Sequence, residues 1–292
     1  MTQWRMEIDL LKCTGCGACG LACKAGNNTP WRSSDQSFNW ADFLFNTTGR
    51  FPNTRWQATP VNCNHCANPA CVAVCPVPPD AQGRKAVYKI PAGQPGAGIV
   101  VTNSDRCIGC RSCQQACPYS ALSMTAPISQ NGTTGRAQFS VISFNAETPH
   151  QFWNGTEAVI AGGTATPREV RTAAGGNAPP NRTRYVGGDL PGFSNVRRQG
   201  AVEKCHLCIH RILDSNLGPT AGEGARRPYC VLACPAGARR LLKPGESPSP
   251  GARVLKPGSR LYPEFVEPND PTAAWLSPQV YYKNWDKFSF RV

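Results

Sequence analysis

Residues 107–118 read CIGCRSCQQACP: Cys107, Cys110 and Cys113 two residues apart, then Cys117 after three more, then Pro118. Three thiols in one turn and a fourth carried off along a short helix suit a cubane iron–sulfur cluster. Such a cluster takes three thiolates from a compact loop, and its fourth commonly comes from a distant C-x3-C-P run. The pattern recurs at Cys13-x2-Cys16-x2-Cys19-x3-Cys23 and at Cys63-x2-Cys66-x4-Cys71-x3-Cys75-Pro76. A split version is Cys205-x2-Cys208, a gap, and Cys230-x3-Cys234-Pro235. All 16 cysteines of the 292-residue chain fall in these four groups, enough for four [4Fe–4S] clusters with none left over.

Two other uses of cysteine fit less well. Disulfide scaffolds are secreted and much shorter, and adjacent C-x2-C pairs space poorly into a disulfide framework. Structural zinc sites pair two C-x2-C units, but they seldom add a third Cys two residues on, a fourth three later and a proline. Gly15, Gly17 and Gly109 lie inside the loops, where backbone N–H groups must turn toward sulfur and φ often becomes positive. Pro76, Pro118 and Pro235 end each short helix. After Cys23 stands Lys24 instead, so the first group departs from the run there.

The formal charge of +13 invites a nucleic-acid reading. It counts every Cys as neutral, whereas four clusters with their thiolates carry roughly −8 together, leaving the loaded protein near about +5. No run of five basic residues occurs, and nucleic-acid binding is not expected. Lys12, Arg106, Arg111 and Lys204 stand beside the cysteines, where they offset cluster charge and raise reduction potentials. With 27 Pro, 28 Gly and 40% hydrophobic residues, the chain is poor in long regular elements. The clusters are expected to replace much of an ordinary core.

No apolar stretch of 18 residues is present, so no membrane span is expected. The N-terminus MTQWRMEIDLLKC has neither an h-region nor a twin-arginine pair. Two localisations fit: cytoplasm, or export in the folded state on a partner's signal. Met6–Leu11 and Ile99–Asn103 read as strands feeding cluster loops, and 86–90 with 99–102 as a hairpin. Residues 16–24, 110–117 and 205–217 read as short helices. Strand, cluster loop and short helix make up the unit of a bacterial two-cluster ferredoxin. The fold class is therefore α+β, with long irregular loops at 162–191 and 243–257 and an aromatic tail at 275–292 expected to pack on a partner.

The four-group order resembles the electron-transfer subunit of the dimethyl-sulfoxide-reductase family of molybdenum enzymes. KCTGCGACGLACK from Lys12, CNHCANPACVAVCP from Cys63, CIGCRSCQQACPY from Cys107 and EKCHLCIHR from Glu203 carry the likeness. It covers residues 5–30, 58–120 and 200–240. Within the family, LACKAGNNT and ISFNAETPH followed by Trp153 are similar to the small subunit of respiratory arsenate reductase, against which 123–138 looks inserted. The resemblance implies two interleaved ferredoxin modules. An outer one spans 1–57 and 200–240, an inner one 58–121, with an insertion at 122–199 and a C-terminal interface arm at 241–292. It also implies the ligands. One cluster takes Cys13, Cys16, Cys19 and Cys234, and a second takes Cys23, Cys205, Cys208 and Cys230. A third takes Cys63, Cys66, Cys71 and Cys117, and a fourth takes Cys75, Cys107, Cys110 and Cys113. A molybdopterin-guanine-dinucleotide catalytic subunit is the implied partner, with a membrane quinol-oxidising subunit or a cytochrome beyond it. The implied location is the periplasm, reached with a partner that bears a twin-arginine signal.

His65, His206 and His210 lie near ligands, but sixteen cysteines already suffice; donation from His206 or His210 to a cluster sulfur is one alternative, and surface or packing roles are favoured over it. Phe38, Trp40, Phe43, Phe45, Phe51 and Trp56 read as apolar cover or interface, since only Arg50 and Arg55 interleave them. No Ser/His/Asp set, paired carboxylates or phosphate loop is visible, so substrate chemistry is not expected on this chain. Three functions compete. The first is a relay subunit in anaerobic respiration of the arsenate type. The second is the corresponding subunit of another molybdenum enzyme, of transhydroxylase, tetrathionate, thiosulfate, polysulfide or dimethyl-sulfoxide reductase type. The third is a free polyferredoxin, which would not need the long segments between cluster groups.

Overall fold

The computed structural model describes residues 3–27, 40–103, 106–120, 141–144, 200–213, 226–258, 263–286 and 290–291. The 123–138 insertion, the 162–191 loop, Phe38 and Trp153 lie outside them.

Strand β1 (Arg5–Asp9) leads into the first cysteine loop and helix α1 (Ala18–Gly26). Strands β2 (Ala41–Thr48) and β3 (Arg55–Asn62) then form a long hairpin ahead of the second group. Helix α2 (Ala70–Ala73) carries Cys71, and the short strands β4 (Val87–Lys89) and β5 (Val100–Thr102) pair antiparallel as the sequence suggests. Helix α3 (Ser112–Ala116) follows the third loop. Strand β6 (Ile142–Phe144) pairs with β7 (Val202–Lys204), which delivers Cys205. The helix expected over 205–217 is a single turn among the described residues, α4 (Ile209–Ile212), because Leu207 and Cys208 take left-handed φ of 51° and 49° to wrap the loop. Helix α5 (Tyr229–Leu232) and strand β8 (Arg239–Leu242) complete the fourth group. Beyond them lie β9 (Arg253–Leu255), β10 (Phe265–Val266), helix α6 (Pro271–Ala274), β11 (Val280–Lys283) and β12 (Phe290–Arg291).

The central sheet runs β10-β9-β11-β1-β8. Antiparallel pairing of β1 with β8 sets Ile8 opposite Arg239, bringing the first and last cysteine groups together from opposite ends of the chain. Helices α1 and α5 pack on each other here, and α2 packs on α3 in the second and third groups. Lys24 in place of proline has a visible consequence. With an N–H to donate, the chain continues past Cys23 and α1 runs nine residues, against four or five in α2, α3 and α5. Close approach of α1 to α5 needs Gly26, where a Cβ would meet the Tyr229 ring at 2.3 Å.

Two loop glycines are sterically required. Gly15 has φ +68°, and a Cβ there would stand 2.6 Å from Trp56 Cη2 and 2.7 Å from Ala58 Cβ. At Gly109, φ is +71° and a Cβ would stand 2.3 Å from the Gly200 carbonyl oxygen. Both loops are thus clamped by segments remote in sequence.

Part of the expected interface arm is built into the chain's own core. β11 lies between β1 and β9, pairing parallel to β1 with Met6 opposite Val280. Tyr282 is 1% exposed and donates to the Pro60 carbonyl at 3.1 Å. The continuous apolar run Val280-Tyr281-Tyr282 suits a strand buried on both faces, so self-cover replaces partner packing over 280–283. The 243–257 stretch, read as irregular, contains β9. Trp275 is 55% exposed.

Candidate iron–sulfur sites

The sixteen thiols gather in four places, each drawing on more than one sequence group. Cys13, Cys16, Cys19 and Cys234 line one pocket together with Phe43 and Arg239. Cys63, Cys66, Cys71 and Cys117 line another with Tyr119, Leu276 and Lys204. Around Cys23, the thiols that join burial in raising its pKa are Cys208, Cys205 and Cys230. Around Cys113 they are Cys107, Cys110 and Cys75, and with burial they push it up to about 12.

The buried Cys23 and Cys113 thiols do not ionise on their own. Burial, reinforced by Cys230, pushes Cys208 up to about 12, and burial with Cys63 pushes Cys117 up to about 11. Cationic iron offsets both penalties. The donors are all soft sulfurs and the thiols surround a void. Among the described residues no three His, Cys, Asp or Glu side chains converge on a single ion. Zinc would draw four sulfurs to about 2.3 Å from one centre. A cubane spreads them over four irons, which is the arrangement this donor set fits. When bound, it accepts and releases single electrons without moving its ligands.

Backbone amides point at the sulfurs. His65 N donates to Cys63 Sγ at 3.5 Å, Leu207 N to Cys205 Sγ at 3.4 Å, Val202 N to Cys107 Sγ at 3.4 Å and Ala238 N to Cys234 Sγ at 3.2 Å. Because α1 runs on, Asn27 sits at its end, 6% exposed. Its side-chain amide donates to Cys23 Sγ at 3.4 Å and Cys208 Sγ at 3.6 Å. Hydrogen bonds to cluster sulfur raise reduction potential. Asn27→Leu should therefore lower one potential, that of the cluster touching Cys23 and Cys208, by roughly 90 mV for its two bonds. That figure takes about 1 kcal/mol per hydrogen bond and about 59 mV per tenfold change. Redox-titrated EPR reads this; four unchanged potentials would rule it out.

Of the four basic residues singled out in the sequence, only Lys204 is buried among thiols, at 3% exposure, its ammonium donating to the Val100 and Cys205 carbonyls. Lys12 is exposed. Arg106 binds the Arg84 and Pro78 carbonyls and pairs with Asp80, and Arg111 bonds Gln114 and lies over the Phe144 ring. The three histidines are all buried, which excludes the surface role. His65 Nδ1 accepts from Val100 N at 3.1 Å, and His206 packs edge-on between Trp40 and His210 at 5.1 and 5.4 Å. Burial drives His206 down to about 3, with Lys204 adding to it. Phe43 lines the first thiol site and Trp40 is buried against His206, whereas Phe51 is 94% exposed. Arg239 carries no sequence signal, and Asn27 only its place in LACKAGNNT. Neither adjoins a cysteine, and only the β1–β8 pairing and the extended α1 bring them to sulfur.

Family models described as a 4Fe-4S dicluster domain match residues 12–81 and 54–133. The arsenate respiratory reductase iron-sulfur subunit of Shewanella sp. strain ANA-3 is 36% identical over 80% of this chain and 79% of its own length. This chain belongs to the iron–sulfur subunits of the molybdenum oxidoreductase family. Also similar are a sulfite dehydrogenase subunit from Allochromatium vinosum, 30% identical over 82% of this chain and 68% of its own, and the menaquinone reductase iron-sulfur cluster-binding subunit from Nitratidesulfovibrio vulgaris, 40% identical over 81% and 73%. As a member of this family the chain is an electron-transfer subunit with four [4Fe–4S] clusters, and its relatives are small subunits of molybdoenzyme complexes. No helix among the described residues is long and apolar enough to cross a membrane.

Proposed function

We propose that the chain passes electrons in single file through four clusters held by the four thiol sets above, in two interleaved modules, outer (1–57, 200–240) and inner (58–121). One observation carries the order. Neighbouring sets touch electrostatically at three points. Burial raises the Cys230 thiol and Cys19 of the first set adds to it. Burial raises Cys205 and Cys63 of the third set adds to it. Burial also raises Cys71, and Cys113 of the fourth set adds to it. The sets thus follow one another from first to fourth. Cys16 and Cys110, at opposite ends of this file, are the exposed thiols. Leu11, 55% exposed, and Ile108, 66% exposed, stand beside those ends and favour docking of a protein at each. One end faces the molybdopterin-guanine-dinucleotide subunit, the other a membrane quinol-oxidising subunit or cytochrome. Likeness to the arsenate respiratory subunit favours an oxyanion such as arsenate as the terminal acceptor, in a periplasmic complex.

The complex isolated from its host under anaerobic conditions should contain a molybdenum protein in about equal amount. The chain should also reach the periplasm only with that partner's twin-arginine signal. Fractionating cells that lack the partner tests this: iron–sulfur subunit in the periplasm would refute shared export, and isolation without molybdenum would favour a free carrier.

A further inference from the structure

We propose that Arg239 is the common counter-charge of the first and second thiol sets and holds up the reduction potentials of both their clusters. Its side chain enters the core from β8, in register with Ile8 of β1, and is 4% exposed. The guanidinium lines the cavity of Cys13, Cys16, Cys19 and Cys234. Nη1 donates to Asn62 Oδ1 at 3.1 Å and touches Met6 Sδ at 3.5 Å, both neutral. Among the described residues, Nη2 is buried without a nitrogen or oxygen hydrogen-bond partner, and the guanidinium acts on the Cys230 thiol. Its strand neighbour Arg240 points the other way, to Glu7 at 3.3 Å. Burial opposes the charge of Arg239, yet Cys19, Cys230, Tyr282 and Cys13 hold its pKa above the ordinary arginine value. Cys13 and Cys19 belong to the first set, and Cys230 of the second lies on α5, which packs against β8, so the cation stands between the two.

A buried guanidinium with no carboxylate partner is costly to keep. Loaded sites supply the missing anion, since a cubane with four thiolates carries about −2 and gains another negative charge on reduction. A fixed cation therefore favours the reduced form of each neighbouring cluster. Arg239 cannot lose its proton in the accessible pH range, so the effect is independent of pH. Being shared, it raises both potentials together and keeps adjacent steps of the relay close in energy. Lys204 occupies the corresponding place beside Cys71, Cys205 and Cys117 further along the file.

The inference rests on the assignment of thiol sets proposed above, and the test separates the two. In the holo complex, Arg239→Gln should retain wild-type iron and four EPR signals. The reduction equilibria of the first and second clusters should each shift about tenfold toward the oxidised form, a fall of about 59 mV for a one-electron step. The third and fourth should keep their potentials, and Arg239→Lys should restore most of the loss. Equal shifts in the Gln and Lys variants, a shift in only one outer cluster, or none at all, would overturn the proposal. If Arg239→Gln loses iron, Asn62→Asp makes the same test by setting a carboxylate against Nη1. It should lower the same two potentials, and leaving them unchanged would equally overturn the proposal. A wrong ligand assignment would instead show in cysteine variants, whatever the potentials do.

Discussion

Cys234→Ser should abolish the cluster built on Cys13, Cys16 and Cys19 and leave the one on Cys205, Cys208 and Cys230 in place. In Cys230–Cys234 the two thiols are four residues apart on a short helical segment, a rise of about 6 Å. Cys230 therefore faces Cys23, whereas Cys234 reaches the cavity of Cys13, Cys16 and Cys19. Losing one thiolate of four converts a cubane to a three-iron form or empties the site. Redox-titrated EPR of Cys234→Ser, with Cys16→Ser and Cys208→Ser beside it, makes the comparison. The first two variants should lose the same signal, and Cys23→Ser should match Cys208→Ser. If Cys234→Ser instead resembled Cys208→Ser, each sequence group would hold its own cluster and the interleaved arrangement would fall.

Removing iron should unfold the protein rather than leave an empty shell. Cys13, Cys19, Cys23, Cys63, Cys66, Cys205 and Cys230 belong to the same buried cluster as Met6, Ile8, Leu10, Ile99 and Tyr282. Stripped of iron, those thiols surround voids, and Arg239 and Lys204 lose their anions. A structural metal site with thiolate ligands contributes on the order of 10 kcal/mol to folding. That matches the whole stability of a typical domain, about 5–15 kcal/mol. Anaerobically purified protein should hold about sixteen irons and negligible zinc. Chelation or oxidation should then abolish its near-UV circular dichroism. A well-packed apoprotein with native near-UV signal would show that the clusters occupy an already stable frame.

Cluster chemistry was legible in the sequence because it depends on short-range spacing. Two-residue gaps put three thiols in one turn, Gly15 and Gly109 allow that turn, and Pro76, Pro118 and Pro235 stop each helix. The β4–β5 hairpin and the strand before Cys13 were equally readable, being local patterns. Charge was read less well. Proximity in sequence pointed to Lys12, Arg106, Arg111 and Lys204, yet Lys12 is exposed, and Arg106 and Arg111 bind carbonyls, a carboxylate and a ring on the protein itself. The tail looked like an arm because aromatic residues suit an interface and a core alike.

By itself, the sequence settles the kind of centre, the number of clusters and the electron-carrying role, since three of the four cysteine groups lie within about a dozen positions each and the fourth within thirty. Tertiary structure alone decides which distant thiols meet. It also decides that β11 closes the sheet beside β1, and that Arg239 and Asn27, neither next to a cysteine in the chain, reach cluster sulfur. Those placements depend on the register of strands more than two hundred residues apart, such as Glu7 opposite Arg240 and Met6 opposite Val280. Burial of the whole sheet chooses that register, and no local spacing encodes it.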